Sequence, residues 1–337
     1  MFTSRRLGGS CAGEFMNFLG VDIGGTKVAL SIGNERGEIL VDQRIPTNAN
    51  DPQATLSRAV EVAGELIAKA GLAVKQIDGI GISAPGPMCS IRRMILQAPN
   101  LKGWDNFKIG DFFEERFNRP VFMQNDANGA GLAEYSFGSC KGKDLIYLTM
   151  STGIGAGIIS NGRLIAGAND LAGEVGHMKL DINGPRCACG RTGCWEVYCG
   201  GKSFADQVRA DIAIKDIRTS ILKEAGGDPS KISMQEVRAA IRSGDEYACQ
   251  KWDIFIEKMA HAVGILLMAF NPEAIVMGTL AIHGGDLFIP QMKKLLPKYA
   301  WQSSINACQV EASVLKNIAE LSALAVAIDG YRHSAEG

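Results

Sequence analysis

The sequence predicts an α/β protein of two similar units that face each other across a cleft. The chain has 337 residues, and at roughly 150 residues per domain this length suggests about two domains. Strand and helix patterns alternate along the first part in the order β-β-β-α-β-α-β-α. The second part begins again with a strand, a glycine-rich turn and another strand, so the same α/β unit is predicted twice.

The composition is that of an ordinary globular protein. Hydrophobic residues make up 46% of the chain and charged residues 21%, which excludes a disordered chain. The 35 basic and 36 acidic residues leave a formal net charge of −1, so no overall charge attracts nucleic acid or an anionic membrane. The apolar run at 262–270 has nine residues, whereas a membrane span needs about 20. We therefore expect neither a nucleic-acid partner nor a membrane partner.

Local patterns predict the elements of the first unit. Residues 17–23 alternate and then reach a pair of glycines, which is typical of a strand that enters a turn. Asp51-Pro52 has the form of an N-cap followed by proline at the first helical position, and this helix ends at Gly71. The other predicted elements are strands over 27–33, 38–45, 77–83 and 121–123 and helices over 111–117 and 127–137.

The second unit shows the same kinds of signal. Asn161-Gly162 is a hairpin turn signal between two short strand patterns. A cysteine-bearing loop follows and runs to about residue 201. The predicted elements are strands over 144–150, 156–160, 163–166 and 274–277, helices within 202–270, a helix over 287–296 interrupted by Pro290, and a last helix over 317–328.

The N-terminus and the cysteines bear on the cellular setting. Residues 1–16 contain two arginines without an apolar stretch after them, so they lack the pattern of a signal peptide. We expect them to form a disordered extension. Four of the nine cysteines cluster between 187 and 199. Without a signal peptide, such a cluster favours metal ligands or free thiols over disulfides and a reducing, cytoplasmic setting.

The first motif that carries chemistry is DIGGTK, in the turn between the first two predicted strands. Two glycines let backbone N–H groups approach an anion, and a hydroxyl and an ammonium group follow them. The acidic residue could bind Mg²⁺ through water, since Mg²⁺ keeps much of its hydration shell. The predicted phosphate contacts are Asp22, Gly24, Gly25, Thr26 and Lys27. A plain hairpin with a glycine turn is the alternative.

A similar turn, TMSTGIGAG over 149–157, opens the second unit. Two such turns, one in each half, are what two loops that hold one polyphosphate from opposite sides would look like. The predicted phosphate contacts here are Ser151, Thr152, Gly153 and Gly155. Two independent hairpins are the alternative, because glycine often marks turns.

The segment QNDAN over 124–128 joins a predicted strand to a predicted helix. Asn and Asp are favoured helix N-caps, worth about 1 kcal/mol each. The carboxyl end of a strand is also where α/β proteins bind ligands, and there Asp126 could accept a proton from a substrate hydroxyl that attacks a phosphoryl group. Asn125 could bind neighbouring hydroxyls, and both interpretations can hold together. Asn100, in an irregular loop, is either a further hydroxyl contact or part of a surface turn.

A fourth motif combines one histidine with three cysteines, His177, Cys187, Cys189 and Cys194. This set suits a tetrahedral, structural Zn²⁺, which leaves no open position for chemistry. Free thiols in a loop are the alternative. Glu174 and Glu196 flank the motif, so a bound metal would hold both carboxylates near His177, where they could bind sugar hydroxyls.

In this order, DIGGTK, QNDAN, TxxTGIGxG, GEVGH and CxCGRTGCWE resemble the motifs of the ROK family of bacterial sugar kinases, over about 19–330. The resemblance implies an actin-like, ribonuclease-H-like fold with two α/β domains around a hinged cleft. It also implies ATP with Mg²⁺, a structural Zn²⁺, phosphorylation of a hexose at O6, and a homodimer or dimer of dimers. Asp126 matches the family's catalytic aspartate. The matching sugar contacts are Asn100, Asn125, Asp126, Glu174, His177 and Glu196, and the matching zinc ligands are His177, Cys187, Cys189 and Cys194.

The same resemblance predicts the domains and reveals departures from the family. It predicts a small domain over 17–120, completed by a helix over 315–330, and a large domain over 121–314 with a zinc loop over 177–196. Ser151 and Ala156 stand where the family has glycine, and their Cβ atoms could crowd the phosphates. The glycine run that usually follows the strand at 274–277 is reduced to Gly278, a predicted nucleotide contact.

We expect an ATP-dependent hexose kinase, with glucose as the leading acceptor. The same chemistry on N-acetylmannosamine, N-acetylglucosamine or fructose stays open, because the sequence does not separate these sugars. A non-catalytic, sugar-responsive regulator is a further alternative, since the family includes repressors. Such repressors carry an N-terminal helix-turn-helix, and about 15 residues before the first strand are too few for one.

Overall fold

A computed structural model describes residues 15–98, 100–215 and 217–334. Apart from its last two residues, the predicted extension over 1–16 lies outside these ranges. Met16 N donates a 2.7 Å hydrogen bond to Glu35 Oε2, and the Arg36 guanidinium lies 4.2 Å from the centroid of the Phe15 ring. The disorder expected for the extension therefore does not include Phe15 and Met16. Among the described residues, no helix has the length and apolar character that crossing a bilayer requires.

The described residues of the first part of the chain form a five-stranded mixed sheet and three α-helices. Its elements are β1 (Asn17–Ile23), β2 (Lys27–Asn34), β3 (Ile39–Pro46), α1 (Pro52–Lys69), β4 (Ile77–Ala84), β5 (Met88–Cys89), β6 (Met94–Ile95), α2 (Ile109–Phe117), β7 (Val121–Asn125) and α3 (Asp126–Phe137). The strand order is β3-β2-β1-β4-β7, in which β1, β4 and β7 are parallel. Asp51 caps α1 as predicted, since its Oδ1 accepts a 2.9 Å hydrogen bond from Ala54 N.

The second part forms another five-stranded sheet and eight helices among the described residues. Its elements are β8 (Leu145–Met150), β9 (Ile154–Ser160), β10 (Arg163–Leu164), α4 (Trp195–Cys199), α5 (Gly201–Lys215), α6 (Ile221–Glu224), α7 (Met234–Arg242), α8 (Glu246–Phe270), β11 (Ala274–Met277), α9 (Thr279–Leu295), α10 (Gln302–Ala307), β12 (Gln309–Ala312) and α11 (Ile318–Ser334). The strand order is β10-β9-β8-β11-β12, in which β8, β11 and β12 are parallel. Apart from the β5–β6 hairpin, each sheet is built by the same succession of strands, so the predicted duplication is confirmed.

The last helix, α11, packs on the first sheet. It contacts β1, β4 and α3, and Leu324 and Ile328 are buried together with Phe18. Leu321 of the same helix belongs to a buried cluster that includes Tyr147 of the second sheet, so α11 joins the two sheets. The division into domains at residue 120 stays a prediction, and β7, which follows that boundary, belongs to the first sheet.

One helix begins earlier than predicted. The expected helix over 287–296 is the second half of α9, which begins at Thr279 and contains Pro290 in its interior. Phe288 and Met292, on either side of the proline, are fully buried, and this packing outweighs the backbone hydrogen bond that proline removes. The structure also contains α10, β12 and the β5–β6 hairpin, which the sequence patterns did not indicate.

Candidate active site

The carboxyl ends of three parallel strands, β1, β4 and β7, meet at one edge of the first sheet. Ligand-binding groups of α/β proteins gather at such edges, and here they include Asp22, Ser83 and Asn125. Asp22 Oδ1 accepts a 2.7 Å hydrogen bond from Ser83 Oγ. Burial raises the pKa of the Asp22 carboxyl to about 7, although the Ser83 hydrogen bond opposes the rise. The negative charge of Asp126 adds to it, so the two carboxyl groups are electrostatically linked.

Asn125 caps α3, Asp126 is the first residue of that helix, and both line a cavity. Asn125 Oδ1 accepts a 2.7 Å hydrogen bond from Asn128 N, and Asp126 Oδ1 accepts a 2.8 Å hydrogen bond from Ala127 N. The Asp126 side chain is open to the cavity but enclosed by protein on its other sides, and this burial raises the pKa of its carboxyl. The capping role is confirmed for Asn125, and the hydrogen bond from Ala127 N fixes the Asp126 carboxyl group where a ligand would contact it.

This cavity has a volume of about 620 Å³ and brings together residues from both halves of the chain. The predicted sugar contacts that line it are Asn125, Asp126, Glu174 and His177, and the predicted phosphate contacts that line it are Ser151, Gly153 and Gly155. The sequence reasoning did not select Leu171 and Arg191, which also line it. The two predicted sets of contacts therefore share one space.

Glu174 and His177 are carried by a turn of 3-10 helix, Val175–His177. Gly173, just before it, has a φ of +93°, and a Cβ there would collide with the carbonyl oxygen of Ala156. Its own carbonyl accepts a 2.8 Å hydrogen bond from Ala156 N, which fixes the turn to β9. His177 Nε2 lies 4.0 Å from Glu174 Oε2. Burial raises the pKa of the Glu174 carboxyl, and His177 opposes the rise.

Next to this turn, the donor atoms of His177, Cys187, Cys189 and Cys194 all lie within 4.8 Å of one another. Cys187 Sγ is 3.9 Å from His177 Nδ1, and Cys189 Sγ is 3.7 Å from Cys194 Sγ. Three thiols and one imidazole at these separations fit a tetrahedral Zn²⁺, whose bonds to sulfur are about 2.3 Å long. Because Nδ1 faces the thiols, Nε2 of the same ring is left toward Glu174.

Glu196 of α4 and Ala156 of β9 are placed differently from what the motifs predicted. Glu196 does not line the cavity: its Oε2 accepts a 2.9 Å hydrogen bond from Ile154 N, behind the β8–β9 turn. Ala156 is fully buried in the core beside the second sheet, so its methyl group does not crowd a phosphate site. Ser151, the other departure from glycine, is exposed and lines the cavity.

The first glycine turn closes a hairpin between β1 and β2 and does not line the cavity. Gly24 N donates a 2.9 Å hydrogen bond to the carbonyl of Lys27, and the side chains of Thr26 and Lys27 are exposed. Asn100 is also exposed, and it packs against Gly25. The backbone of DIGGTK is therefore the plain hairpin turn that was the alternative to a phosphate loop. The predicted contact Asn100 lies beside this turn.

A second cavity of about 420 Å³ adjoins the first, and Ser151 lines both. Three basic residues of its lining, Lys202, Arg209 and Arg238, come from α5 and α7, which carry no motif. Asp206 forms ion pairs with Lys202, at 2.7 Å, and with Arg209. Arg238 differs from them, because its Nε is buried without a hydrogen-bond partner among the described residues.

The predicted nucleotide contact Gly278 lies at the start of α9. A Cβ at this position would collide with Tyr147 Oη, so close packing requires glycine here. Gly278 itself does not line the second cavity, but the next residue, Thr279, and His283 one turn later do. The N-terminus of this 17-residue helix thus borders the second cavity, where it favours an anion.

Comparisons with known proteins extend these observations. The family model described as ROK family matches residues 18–329. A glucokinase from Thermotoga maritima is 28% identical over 302 residues, which cover 89% of this chain and 93% of that protein. A xylose repressor from Bacillus spizizenii is also 28% identical, over 315 residues that cover 93% of this chain and 77% of that protein.

Solved structures resemble more than nine-tenths of the chain. A ROK hexokinase from Thermus thermophilus superimposes with a TM-score of 0.81 at 28% identity and covers 96% of this chain and 100% of its own. A ROK family glucokinase from Streptomyces griseus, solved with glucose and AMPPNP, has a TM-score of 0.70 at 29% identity and covers 92% of this chain and 98% of its own. These likenesses confirm the predicted actin-like, ribonuclease-H-like fold.

Proposed function

The chain belongs to the ROK family, and from that premise we propose that it is an ATP-dependent hexose kinase that phosphorylates glucose at O6. The observation that carries this proposal is the cavity that Asp126 shares with Asn125, Glu174 and His177. It combines two carboxyl groups with raised pKa values, those of Asp126 and Glu174, with further groups that can bind hydroxyls. The glucokinases among the similar proteins support glucose as the acceptor.

In this mechanism Asp126 is the general base. Its carboxylate takes the proton of the sugar O6 hydroxyl as O6 bonds to the γ-phosphorus, while the bond from that phosphorus to the β,γ-bridging oxygen breaks and ADP leaves. A base of this kind contributes about 10²–10⁴ in rate, and it is most effective when its pKa is near the working pH. Asn125, Glu174 and His177 orient the sugar, which lowers the entropy cost of the attack.

ATP extends from the second cavity into the first. Ser151 lines both, so the triphosphate would pass this residue while the base and ribose occupy the second cavity. Backbone N–H groups of the β8–β9 turn and the N-terminus of α9 are suited to phosphate oxygens. Asp22, with its carboxylate at the strand edge, suits the Mg²⁺ that accompanies ATP and neutralises phosphate charge.

His177, Cys187, Cys189 and Cys194 would hold a Zn²⁺ ion, which with four protein ligands supplies stability and not chemistry. His177 would bind such a metal through Nδ1, the ring nitrogen that faces the thiols. Nε2 of the same ring lies beside Glu174, so a bound metal would help to orient two of the proposed sugar contacts.

A coupled assay of ADP formation with Mg-ATP tests the proposal across glucose, mannose, fructose, N-acetylglucosamine and N-acetylmannosamine. We expect the highest kcat/KM with glucose and a product that glucose-6-phosphate dehydrogenase oxidises, which identifies O6 as the acceptor. A preference for another sugar would support the kinase function and identify that sugar, and not glucose, as the acceptor. No ADP formation with any of the five would contradict the kinase itself.

The xylose repressor among the similar proteins favours a second candidate, a regulator that binds a sugar without phosphorylating it. Sugar-dependent DNA binding in a gel shift, together with no ADP formation, would support this candidate. Asp126 in the cavity favours the kinase, because a regulator needs no base there.

Three further expectations stay predictions: a homodimer or dimer of dimers, the absence of a nucleic-acid partner, and the cytoplasmic setting. Light scattering tests the first of them.

A further inference from the structure

Two segments from different halves of the chain face each other at the mouth of the first cavity. One is the β5–β6 hairpin, which follows Pro85 and Pro87 of the cavity lining. The other is the loop over 165–174, which follows β10 of the second sheet and ends in the cavity residues Gly173 and Glu174. A contact between these segments therefore crosses from one wall of the cavity to the other.

Ser90 and Asp170 make that contact with two hydrogen bonds. Ser90 N donates to Asp170 Oδ2 at 2.9 Å, and Ser90 Oγ donates to Asp170 Oδ1 at 2.6 Å. Both residues are half-buried, and Asp170 has a φ of +59°, in the left-handed region that few residues other than glycine adopt. Hydrogen bonds to a charged acceptor are stronger than neutral ones, so this pair, the Ser90–Asp170 clasp, is suited to hold the two segments together.

Each half of the clasp is fixed to a neighbouring element of its own half of the chain, α2 on the hairpin side and β9 on the loop side. On the hairpin side, the carbonyl of Arg93 accepts a 3.0 Å hydrogen bond from Gly110 N, and the Arg93 guanidinium pairs with Asp111 at 2.8 Å. On the loop side, the carbonyl of Gly173 accepts a 2.8 Å hydrogen bond from Ala156 N of β9. The clasp therefore joins a hairpin held by α2 to a loop held by β9, and Gly173 and Glu174 of that loop line the cavity.

We propose that the Ser90–Asp170 clasp is a positioning element that holds the cavity closed over the hexose, a role that rests on the proposed kinase function. Leu171, next to Asp170, is 42% exposed and lines the cavity, so the clasp places an apolar side chain at the mouth. Glu174, a proposed sugar contact, lies four residues after Asp170. Entry and release of the sugar require the clasp to open, and binding of the sugar favours its closure.

This role predicts a separation between KM and kcat. If the hexose binds the clasped form, loss of the clasp lowers the fraction of protein that is competent to bind, and the apparent KM rises by the reciprocal of that fraction. Saturating sugar restores the closed form, so kcat changes little. A purely structural role would instead lower the amount of folded enzyme and leave the KM of the remainder unchanged.

The test compares Ser90→Ala, Asp170→Ala and the double variant with wild type, using KM and kcat for glucose and for ATP. We expect KM for glucose to rise about tenfold in Asp170→Ala and about threefold in Ser90→Ala, which keeps its backbone donor. The double variant should match Asp170→Ala, because the two changes remove one shared interaction. KM for ATP and kcat should stay within about twofold, since neither Ser90 nor Asp170 lines the two cavities proposed for ATP and the reacting groups.

Ser220→Ala is the matched control. Ser220 donates through N, at 2.6 Å, and through Oγ, at 3.0 Å, to Asp245 Oδ2, so it makes the same kind of contact far from the cavity. Hydrogen exchange of the Ser90 amide gives a readout independent of turnover, and its protection should be lost in Asp170→Ala and kept in Ser220→Ala.

Wild-type KM for glucose in Asp170→Ala, additive effects in the double variant, or an equal rise of KM in Ser220→Ala would each overturn the clasp while leaving the kinase intact. If wild type neither binds nor phosphorylates any hexose in titration and assay, the proposed function fails and this role fails with it. The two failures are therefore distinguishable.

Discussion

The Ser83 hydroxyl donates a 2.7 Å hydrogen bond to Asp22 Oδ1 from a directly opposed position on the neighbouring parallel strand. Burial raises the pKa of Asp22 to about 7, and this hydrogen bond limits the rise in pKa because it stabilises the carboxylate. Asp22 therefore changes its charge within the pH range in which the protein would be assayed. If Asp22 binds Mg²⁺ as proposed, this pair gives Mg-ATP binding a pH dependence of its own.

Ser83→Ala should make activity more sensitive to acid. Loss of the hydrogen bond raises the pKa of Asp22 further, so a larger share of the carboxyl is protonated near neutral pH. We expect kcat/KM for Mg-ATP to fall several-fold at pH 6.5 and much less at pH 8.5. In Ser139→Ala, which removes a hydroxyl bonded to Glu311 beyond the opposite end of α3, the pH profile should match wild type. Parallel profiles for Ser83→Ala and wild type would count against the assignment.

Asp22→Asn should change how stability depends on pH. Because the folded state raises the pKa of Asp22 from its ordinary value of 3.8 to about 7, its protonated form favours folding. That contribution is fully present below the ordinary value and is lost as the pH rises through about 7. Urea unfolding between pH 4 and pH 8 should therefore show a smaller decline of the unfolding free energy in Asp22→Asn than in wild type. An identical slope in both proteins would contradict the raised pKa.

Asp126→Asn should remove turnover but keep sugar binding. The amide oxygen can still accept the hydrogen bond from Ala127 N, but the side chain can no longer take up a proton. We expect kcat to fall by about 10²–10⁴ and the calorimetric Kd for glucose to change by less than about threefold. Asp253→Asn, an exposed aspartate on α8, is the control. Turnover close to wild type in Asp126→Asn would exclude the general-base role.

Cys189→Ser should remove the metal and weaken glucose binding together. Elemental analysis should find about one zinc per chain in wild type, and the variant should lose it because one of four ligands is gone. The loop that carries His177 and Glu174 would then be less ordered, so we expect a lower thermal midpoint and a higher KM for glucose. Cys249→Ser lies outside the cluster and should retain metal and KM. A metal-free protein with full activity would refute the zinc assignment.

Arg238→Met should raise KM for ATP without affecting the sugar. The buried Nε of Arg238 has no partner among the described residues, so a bound nucleotide is its expected acceptor. Loss of a charge-assisted hydrogen bond predicts a rise in KM for ATP of about tenfold or more. Arg242→Met is the control on the same helix, because that side chain is exposed and pairs with Asp286 at 3.1 Å. Equal KM values for ATP in the two variants would show that Arg238 does not contact the nucleotide.

Structural features that depend only on neighbouring residues could be predicted from the sequence. Asn161-Gly162 forms its hairpin turn with φ values of 51° and 71°, because these residue types tolerate the left-handed region. Asn125 caps its helix for an equally local reason. The cluster of His177 with the three cysteines could also be predicted, since short spacings leave the donors few other arrangements.

Structural features that depend on tertiary packing could not be predicted from the sequence. The second cavity forms where α5, α7 and α9 converge, and the position of Arg238 follows from that packing and from no local pattern. Glu196 was selected by its place after the cysteines, but the backbone N–H of Ile154 competes for its carboxylate. Alternation along β9 places Ala156 on the buried face, so its departure from glycine concerns packing and not phosphate binding.

The position of α11 has a consequence for the order of events during synthesis. Phe18, near the start of the first sheet, is buried against Leu324 and Ile328, about 300 positions later in the chain. The first sheet therefore emerges from the ribosome with one apolar face uncovered and keeps it so until nearly the whole chain has been translated. Contacts at such separations slow folding, and in the meantime the exposed face is a natural target for chaperones. At about 5–20 residues per second, this interval lasts roughly 15–60 seconds.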